Sequence, residues 1–293
     1  MMGLERRFVD TLMRRFLQLT APTCILVVFL ILFFIAKEAL PFILSHSLTD
    51  LLNPRWVPES FQTPSFGVLA LLNGSLLVTC IATSISVPLG VLMAITIAEL
   101  ASSRENVILK TFVEFLASIP SVVIGFFGLV VLAPIIKDIF GLDSVLNALT
   151  AGLLLGLMAL PTIVSLSEDA IRNVPESYRQ GSFALGATPL ETILKVMVPA
   201  AWPGITAACL LGIGRVIGET MVVLMLTGNA TMLTWNPTDS VRTLTATVAA
   251  EMGEVAFGSP HYQALFFVGF VLLLITLGIN LIAQSGLKRS QQS

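Results

Sequence analysis

Ser177–Ile205 reads SYRQGSFALGATPLETILKVMVPAAWPGI, a polar island between two apolar runs of membrane length. Just before it, Asn173-Val174-Pro175-Glu176 suits a helix start, because proline fits a first turn and an acid suits a helix N-terminus. The helix is expected to run through Ala184-Leu185 and stop near Gly186, where a left-handed residue is tolerated. Thr188-Pro189-Leu190-Glu191 then forms a capping box with proline at the first helical position. A second helix is expected to about Val198, broken at Pro199, with Pro203 just beyond. The product is two short helices around a glycine corner. On these residues alone the segment is either a hairpin lying on a membrane surface or a loop held by something outside the membrane, since caps specify helices and not partners.

Outward from this island the chain is apolar. Of its 293 residues, 55% are hydrophobic and 12% charged, and the mean hydropathy is +0.91. Soluble chains carry roughly a quarter charged residues, so this is an integral membrane protein. Cys24, Cys80 and Cys209 fall inside apolar runs and read as small buried hydrophobes rather than disulfides or metal ligands. His46 and His261 stand far apart, each without a nearby Cys or His, so no metal site is expected. No Gly-Lys-Ser/Thr occurs, so ATP, if used, is bound by another chain.

Six apolar segments of spanning length are expected, near 20–44, 69–98, 112–136, 149–167, 206–227 and 264–285. With the N-terminus placed in the cytoplasm, inside segments carry 11 Lys or Arg and outside segments 4, leaving Arg215 within a span to complete the 16. That bias puts both termini in the cytoplasm. The first span reads as uncleaved, because its apolar run is long and no A-x-A site follows. Phe8, Leu12 and Phe16 recur at helical spacing among arginines, as an interfacial helix would. Outside, residues 45–66 hold Asn53-Pro54, Trp56 and Pro58, and read either as a cap on a pore mouth or as a solvated connector with an aromatic anchor. In the longer loop 228–263, Thr243 to Met252 is expected to form a short helix.

The fifth apolar run contains GIGRVIGETMVVLML, Gly212 to Leu226, with Arg215 and Glu219 at i, i+4 on one helix face. Charges at membrane depth are costly and face a bundle interior or a water-filled cavity. Either the two neutralise each other and fix packing, or Arg215 presents its planar guanidinium to an oxyanion. In the second case Glu219 would accept a hydrogen bond from a protonated phosphate oxygen, which sulfate lacks. Gly214 and Gly218 form a GxxxG pair suited to a close helix approach. In the third run, Ser118-Ile119-Pro120-Ser121 reads as a proline break within a span, and Pro88 and Pro161 interrupt the second and fourth similarly. Ser118, Ser121, Thr162 and Ser165 are candidate hydroxyl linings of a polar path.

The polar island resembles the cytoplasmic "EAA" loop of ABC-importer permeases, E-A-A-x3-G-x9-I-x-L-P. Gln180, Gly181 and Ser182 stand at Glu-Ala-Ala, Gly186 at the glycine, and Val196, Val198 and Pro199 at the closing positions. Gln for Glu and Gly for Ala depart from the pattern. IPSVVIGFFGL at Ile119–Leu129, SEDAIRNVPESYR at Ser167–Arg179, GRVIGET at Gly214–Thr220 and RTLTATVAAEMGE at Arg242–Glu254 resemble the phosphate branch of these permeases, of the PstC type.

The resemblance implies an all-α integral membrane protein with six transmembrane helices, the ABC importer type I permease fold and cytoplasmic coupling helices. Residues 1–66 would supply the N-terminal segment, first transmembrane helix and periplasmic loop, and 67–287 the permease domain with its coupling loop at 176–205. The implied function is the permease subunit of an ATP-driven phosphate importer in the bacterial inner membrane, with no enzyme activity and no cofactor. Implied partners are a second homologous permease, two ATP-binding cassette subunits and a periplasmic phosphate-binding protein, besides membrane lipid; no nucleic acid is expected. Arg179, Gln180, Gly181, Ser182, Gly186 and Pro199 would serve coupling to the ATPase, and Arg215, Glu219, Ser118 and Ser121 the substrate pathway. The alternatives are sulfate, molybdate or tungstate as substrate, a secondary transporter with Glu219 as proton relay, and a membrane scaffold or sensor without translocation.

Overall fold

The computed structural model describes residues 2–59 and 64–290. Among the described residues, six helices are long and apolar enough to cross a membrane: Pro22–Ser45, Leu69–Leu100, Ser121–Phe140, Ala148–Arg172, Pro189–Ile217 and Pro260–Ser285. The first continues a helix that begins at Met2. The side chains of Phe8, Leu12 and Phe16, on which the interfacial-helix expectation rests, lie outside the described residues.

The first, second, fourth and sixth spans fall where hydropathy puts them, while the third and fifth differ. Pro120 does not kink the third span but precedes it. Ser103–Ser118 is a separate helix, opened by a capping box between Ser102 and Glu105 and closed by Ile119 in an extended conformation. A residue before proline is pushed out of the α region, and proline cannot donate to the preceding turn. The span therefore restarts at Ser121 rather than running from 112. Pro88 and Pro161, by contrast, sit inside unbroken helices.

The fifth span differs at both ends. Pro199 does not end a loop helix. The helix runs from Pro189 to Ile217 through a π-turn at Ile193–Met197, where the Val198 N–H bonds to the Ile193 carbonyl five residues back. The wider turn absorbs the local disruption that proline brings, so the ribbon continues. At the far end the helix stops at Gly218, and Glu219 and Thr220 are non-helical before the short helix Met221–Leu226.

The fourth span is the central element, with 67% of its most apolar stretch buried against 6% for the first span. It packs along the second span, where Gly152 and Gly156 allow contact: a Cβ on Gly152 would meet Ile81 Cγ2 at 2.5 Å, and one on Gly156 the Ala82 carbonyl at 3.0 Å. This, and not Gly214 and Gly218, is where two glycines four apart let helices approach closely. Gly218 terminates its helix, and a Cβ on Gly214 would only graze Ile279 at 3.9 Å. Cys24 and Cys80 are exposed on the isolated chain and Cys209 is half-buried, and all three are free thiols, so the buried reading fails for the first two.

Between the first and second spans, Trp56–Val57 pairs antiparallel with Ser65–Phe66, the one sheet among the described residues. Trp56 is 2% exposed and packs with Phe42, Phe66 and Leu265, so it is a core residue and not a membrane-surface anchor. The expected helix in the loop 228–263 spans Leu244–Glu251, with Thr243 capping it through the Ala246 N–H.

Candidate functional site

Arg215 and Glu219 do not share a helix face. Arg215 lies in the last turn of the fifth span, while Glu219 follows the Gly218 cap on non-helical backbone. Arg215 is exposed in the isolated chain and forms no ion pair among the described residues. Its Nη1 donates to Thr162 Oγ1 at 2.8 Å. Thr162 stands ten residues before Arg172, the last residue of the 25-residue fourth span, so Arg215 sits opposite that helix's middle. The helix that carries Arg215 begins at Pro189 in the polar island and ends at Ile217.

Glu219 is half-buried and bridges the break. Its carboxylate accepts from the Met221 N–H at 3.2 Å, and its carbonyl accepts from Thr245 Oγ1 at 2.8 Å. The helix Leu244–Glu251 is thereby tied to the restart of the broken span, and Leu244 is held to the second span through Ser75 Oγ at 3.0 Å. Broken backbone at membrane depth is tolerated where it is protein-buried or lines a cavity. Of the hydroxyl candidates, Thr162 meets Arg215, with half-buried Ser165 one turn on. Ser118 donates to the Phe115 carbonyl at 2.7 Å, and Ser121 opens the third span; neither bonds to Arg215 or Glu219 among the described residues.

In the polar island, Glu176–Ala184 is the first helix, with Pro175 at its cap position rather than inside its first turn. Gly186 turns the chain at φ +84°. Thr188 and Glu191 complete the capping box, with Pro189 first in the next helix. Ser182 is buried and shares a hydrogen bond with Thr192 at 2.9 Å, which clamps the two helices together. Gln180 and Gly181 are exposed, as are Tyr178, Phe183, Leu190 and Leu194, and Leu185 at the corner is 91% exposed. An apolar corner held open by a clamped hairpin is what a macromolecular contact surface requires. Arg179 turns inward, its Nη2 2.8 Å from Glu99 Oε1 on the second span.

Three carboxylates outside the expected set organise the molecule. Glu99 receives Arg179, and Glu168, 2% exposed, receives Lys110 at 3.2 Å and Arg172 at 2.8 Å. At the end of the helix Leu244–Glu251, Glu251 gathers Arg242 Nη2 at 2.8 Å, His261 Nε2 at 2.8 Å and Trp56 Nε1 at 3.1 Å beside a cavity of about 240 Å³. Of these contacts only Arg172 is an i, i+4 neighbour that helical spacing could have suggested.

Residues 86–291 match the family model described as "Binding-protein-dependent transport system inner membrane component". A probable ABC transporter permease protein, YqgH, of Bacillus subtilis is 40% identical over 221 residues, covering 75% of this chain and 71% of the relative. The phosphate transport system permease protein PstC of Mesorhizobium japonicum is 33% identical over 258 residues, covering 82% and 78%. Among solved structures, an inward-facing conformation of the MetNI methionine ABC transporter matches 76% of this chain and 94% of its own, with a TM-score of 0.57 at 21% identity. The six-span, helical architecture is thus the ABC-importer permease fold, carried here with one two-stranded hairpin among the described residues. A multi-pass chain with this fold, matched by the family model over most of its length, belongs to the inner-membrane components of binding-protein-dependent transport systems.

Proposed function

We propose that this chain is a permease subunit of an ATP-driven phosphate importer, with both termini in the cytoplasm. The observation that carries the substrate assignment is Arg215, which stands opposite the middle of the fourth span, bonded to Thr162 and unpaired by any carboxylate among the described residues. An uncommitted guanidinium at that depth is suited to an oxyanion, which it binds through a planar fork of donors. The relatives named as phosphate permeases support the same cargo.

In this reading the chain assembles with a second homologous permease, two ATP-binding cassette subunits and a periplasmic phosphate-binding protein. The exposed corner around Gln180 and Leu185 docks on an ATPase subunit, and closure of the ATPases moves it. The motion switches the spans between outward and inward access, and phosphate passes Arg215. This chain breaks and makes no covalent bond.

The deciding experiment is uptake of labelled phosphate, sulfate and molybdate by the reconstituted complex, with wild type beside Arg215→Ala. Phosphate-selective uptake that the substitution abolishes, with assembly intact, is expected. Preference for sulfate or molybdate would reassign the cargo to another oxyanion. Uptake unaffected by Arg215→Ala would remove the site.

A further inference from the structure

Glu99 and Arg179 lie 80 residues apart in the chain and form one ion pair, Nη2 to Oε1 at 2.8 Å. Glu99 sits on the π-turn Thr96–Leu100 that ends the second span, and its side chain is 2% exposed. Arg179 belongs to the loop helix Glu176–Ala184. The loop helix is thus held by a span other than the fourth, which precedes it in the chain.

The pair is half made. Glu99 Oε2 and Arg179 Nε are both buried, and neither has a hydrogen-bond partner. Nε lies 3.4 Å from Glu176 Oε2, within ion-pair range only. A guanidinium and a carboxylate that meet squarely form two parallel bonds. Here one of the two is present, and the atoms suited to the second are spare on the same two side chains. Buried polar atoms are seldom left unpaired, so a small rotation of the loop helix that supplied the second bond would be favourable. The chain at this joint is also unusually wound: π-turns lie at Thr96–Leu100 under Glu99 and at Ile193–Met197 beyond the loop corner. Such turns shift helical register and occur where helices are functionally adjusted.

We propose that the Arg179–Glu99 pair transmits displacement of the loop helix to the second span, and that it tightens from one bond to two when the loop moves. The proposal rests on the docking reading above. Glu99 is a positioning residue, since it acts on the pathway through the second span and touches neither substrate nor ATP.

The test measures ATP hydrolysis and phosphate uptake together in the reconstituted complex. Glu99→Gln keeps an acceptor but removes the charge. It is expected to leave hydrolysis within about twofold and to raise the ATP spent per phosphate by tenfold or more. The charge swap Glu99→Arg with Arg179→Glu is expected to recover most of the wild-type ratio. Hydrolysis and uptake that fall in parallel with the amount of assembled complex would show a purely structural pair and overturn the proposal, as would a wild-type ratio in Glu99→Gln. If Glu99→Gln fails to assemble, Arg179→Lys carries the test, because a lysine keeps the charge but has no fork for a second bond. A spin label on exposed Leu92 of the second span separates this idea from the cargo assignment. If the wild-type complex takes up no phosphate, the cargo reading fails, yet ATP-driven displacement of that label should still be present in wild type and lost in Glu99→Gln. Equal displacement in both would refute the link.

Discussion

Arg215 and Thr162 meet side chain to side chain at 2.8 Å, fixing the end of the fifth span against the centre of the fourth. The threonine holds the guanidinium in place without neutralising it. Arg215→Lys keeps the charge but loses the planar fork, and uptake by the reconstituted complex should fall at least tenfold. Thr162→Val keeps the guanidinium but releases it. A hydrogen bond to a charged group is worth about 1.5–3 kcal/mol, so the apparent KM for phosphate should rise roughly tenfold or more. An unchanged KM in Thr162→Val would mean that Arg215 is positioned by something else.

Glu219 offers a carboxylate beside the break in the fifth span while one of its oxygens caps the Met221 N–H. Glu219→Gln retains that acceptor, so the helix restart should survive. What it loses is the charge that, in the proposed phosphate reading, would favour a protonated phosphate oxygen and repel sulfate. Preference for phosphate over sulfate in competition uptake should drop by roughly tenfold, the value of about 1.4 kcal/mol of lost discrimination. Unaltered selectivity would sink this role.

Gly186 and Gly181 should respond oppositely to alanine. Gly186 holds φ +84°, where a Cβ costs about 1–2 kcal/mol, so Gly186→Ala should lower the thermal stability of the purified chain and weaken its capture of the ATPase subunit. Gly181 lies inside a helix, with open space where a Cβ would go. Alanine there should stabilise the loop helix by about 0.8–1 kcal/mol. Thermal unfolding of both variants in detergent checks the contrast, and a loss of stability in Gly181→Ala would contradict it.

The Glu168 bracket should be asymmetric. Its carboxylate is 2% exposed, whereas Lys110 and Arg172 are 42% and 47% exposed. Removing the carboxylate with Glu168→Gln lets both cations turn to water, at a cost of about 1 kcal/mol. Removing both cations with Lys110→Ala and Arg172→Ala strands a buried negative charge, costing about 3 kcal/mol or more. Thermal unfolding of the two variants should rank them in that order, and the reverse ranking would mean that Glu168 is not held by these partners.

Much of this molecule is legible locally. Six spans and the bounds of four of them follow from runs of apolar residues, and the loop corner follows from Gly186 and the Thr188–Glu191 box, whose partners lie three residues apart. The helix within the loop 228–263 is marked by Thr243, whose hydroxyl caps it three residues on. Proline is legible only in part. Pro120 breaks the chain as its chemistry suggests, but ahead of the third span rather than within it, and Pro199 ends no helix, because a π-turn before it changes the register of the turn it would have disrupted. No spacing rule foresees that adjustment, since helix packing on either side decides whether the ribbon continues.

The charged residues divide the same way. The sequence by itself determined that Arg215 and Glu219 lie in an apolar run, that the chain spans a membrane and that a capped helical loop stands between its fourth and fifth spans. Only the tertiary structure decided that a glycine ends the helix between those two charges, and that Arg215 turns to Thr162 and Arg179 to Glu99. Hydropathy and helix capping act over a few residues, so composition and spacing carry them. A buried charge is satisfied by whichever partner the fold brings within about 3 Å, and for Arg179 that partner is 80 residues away.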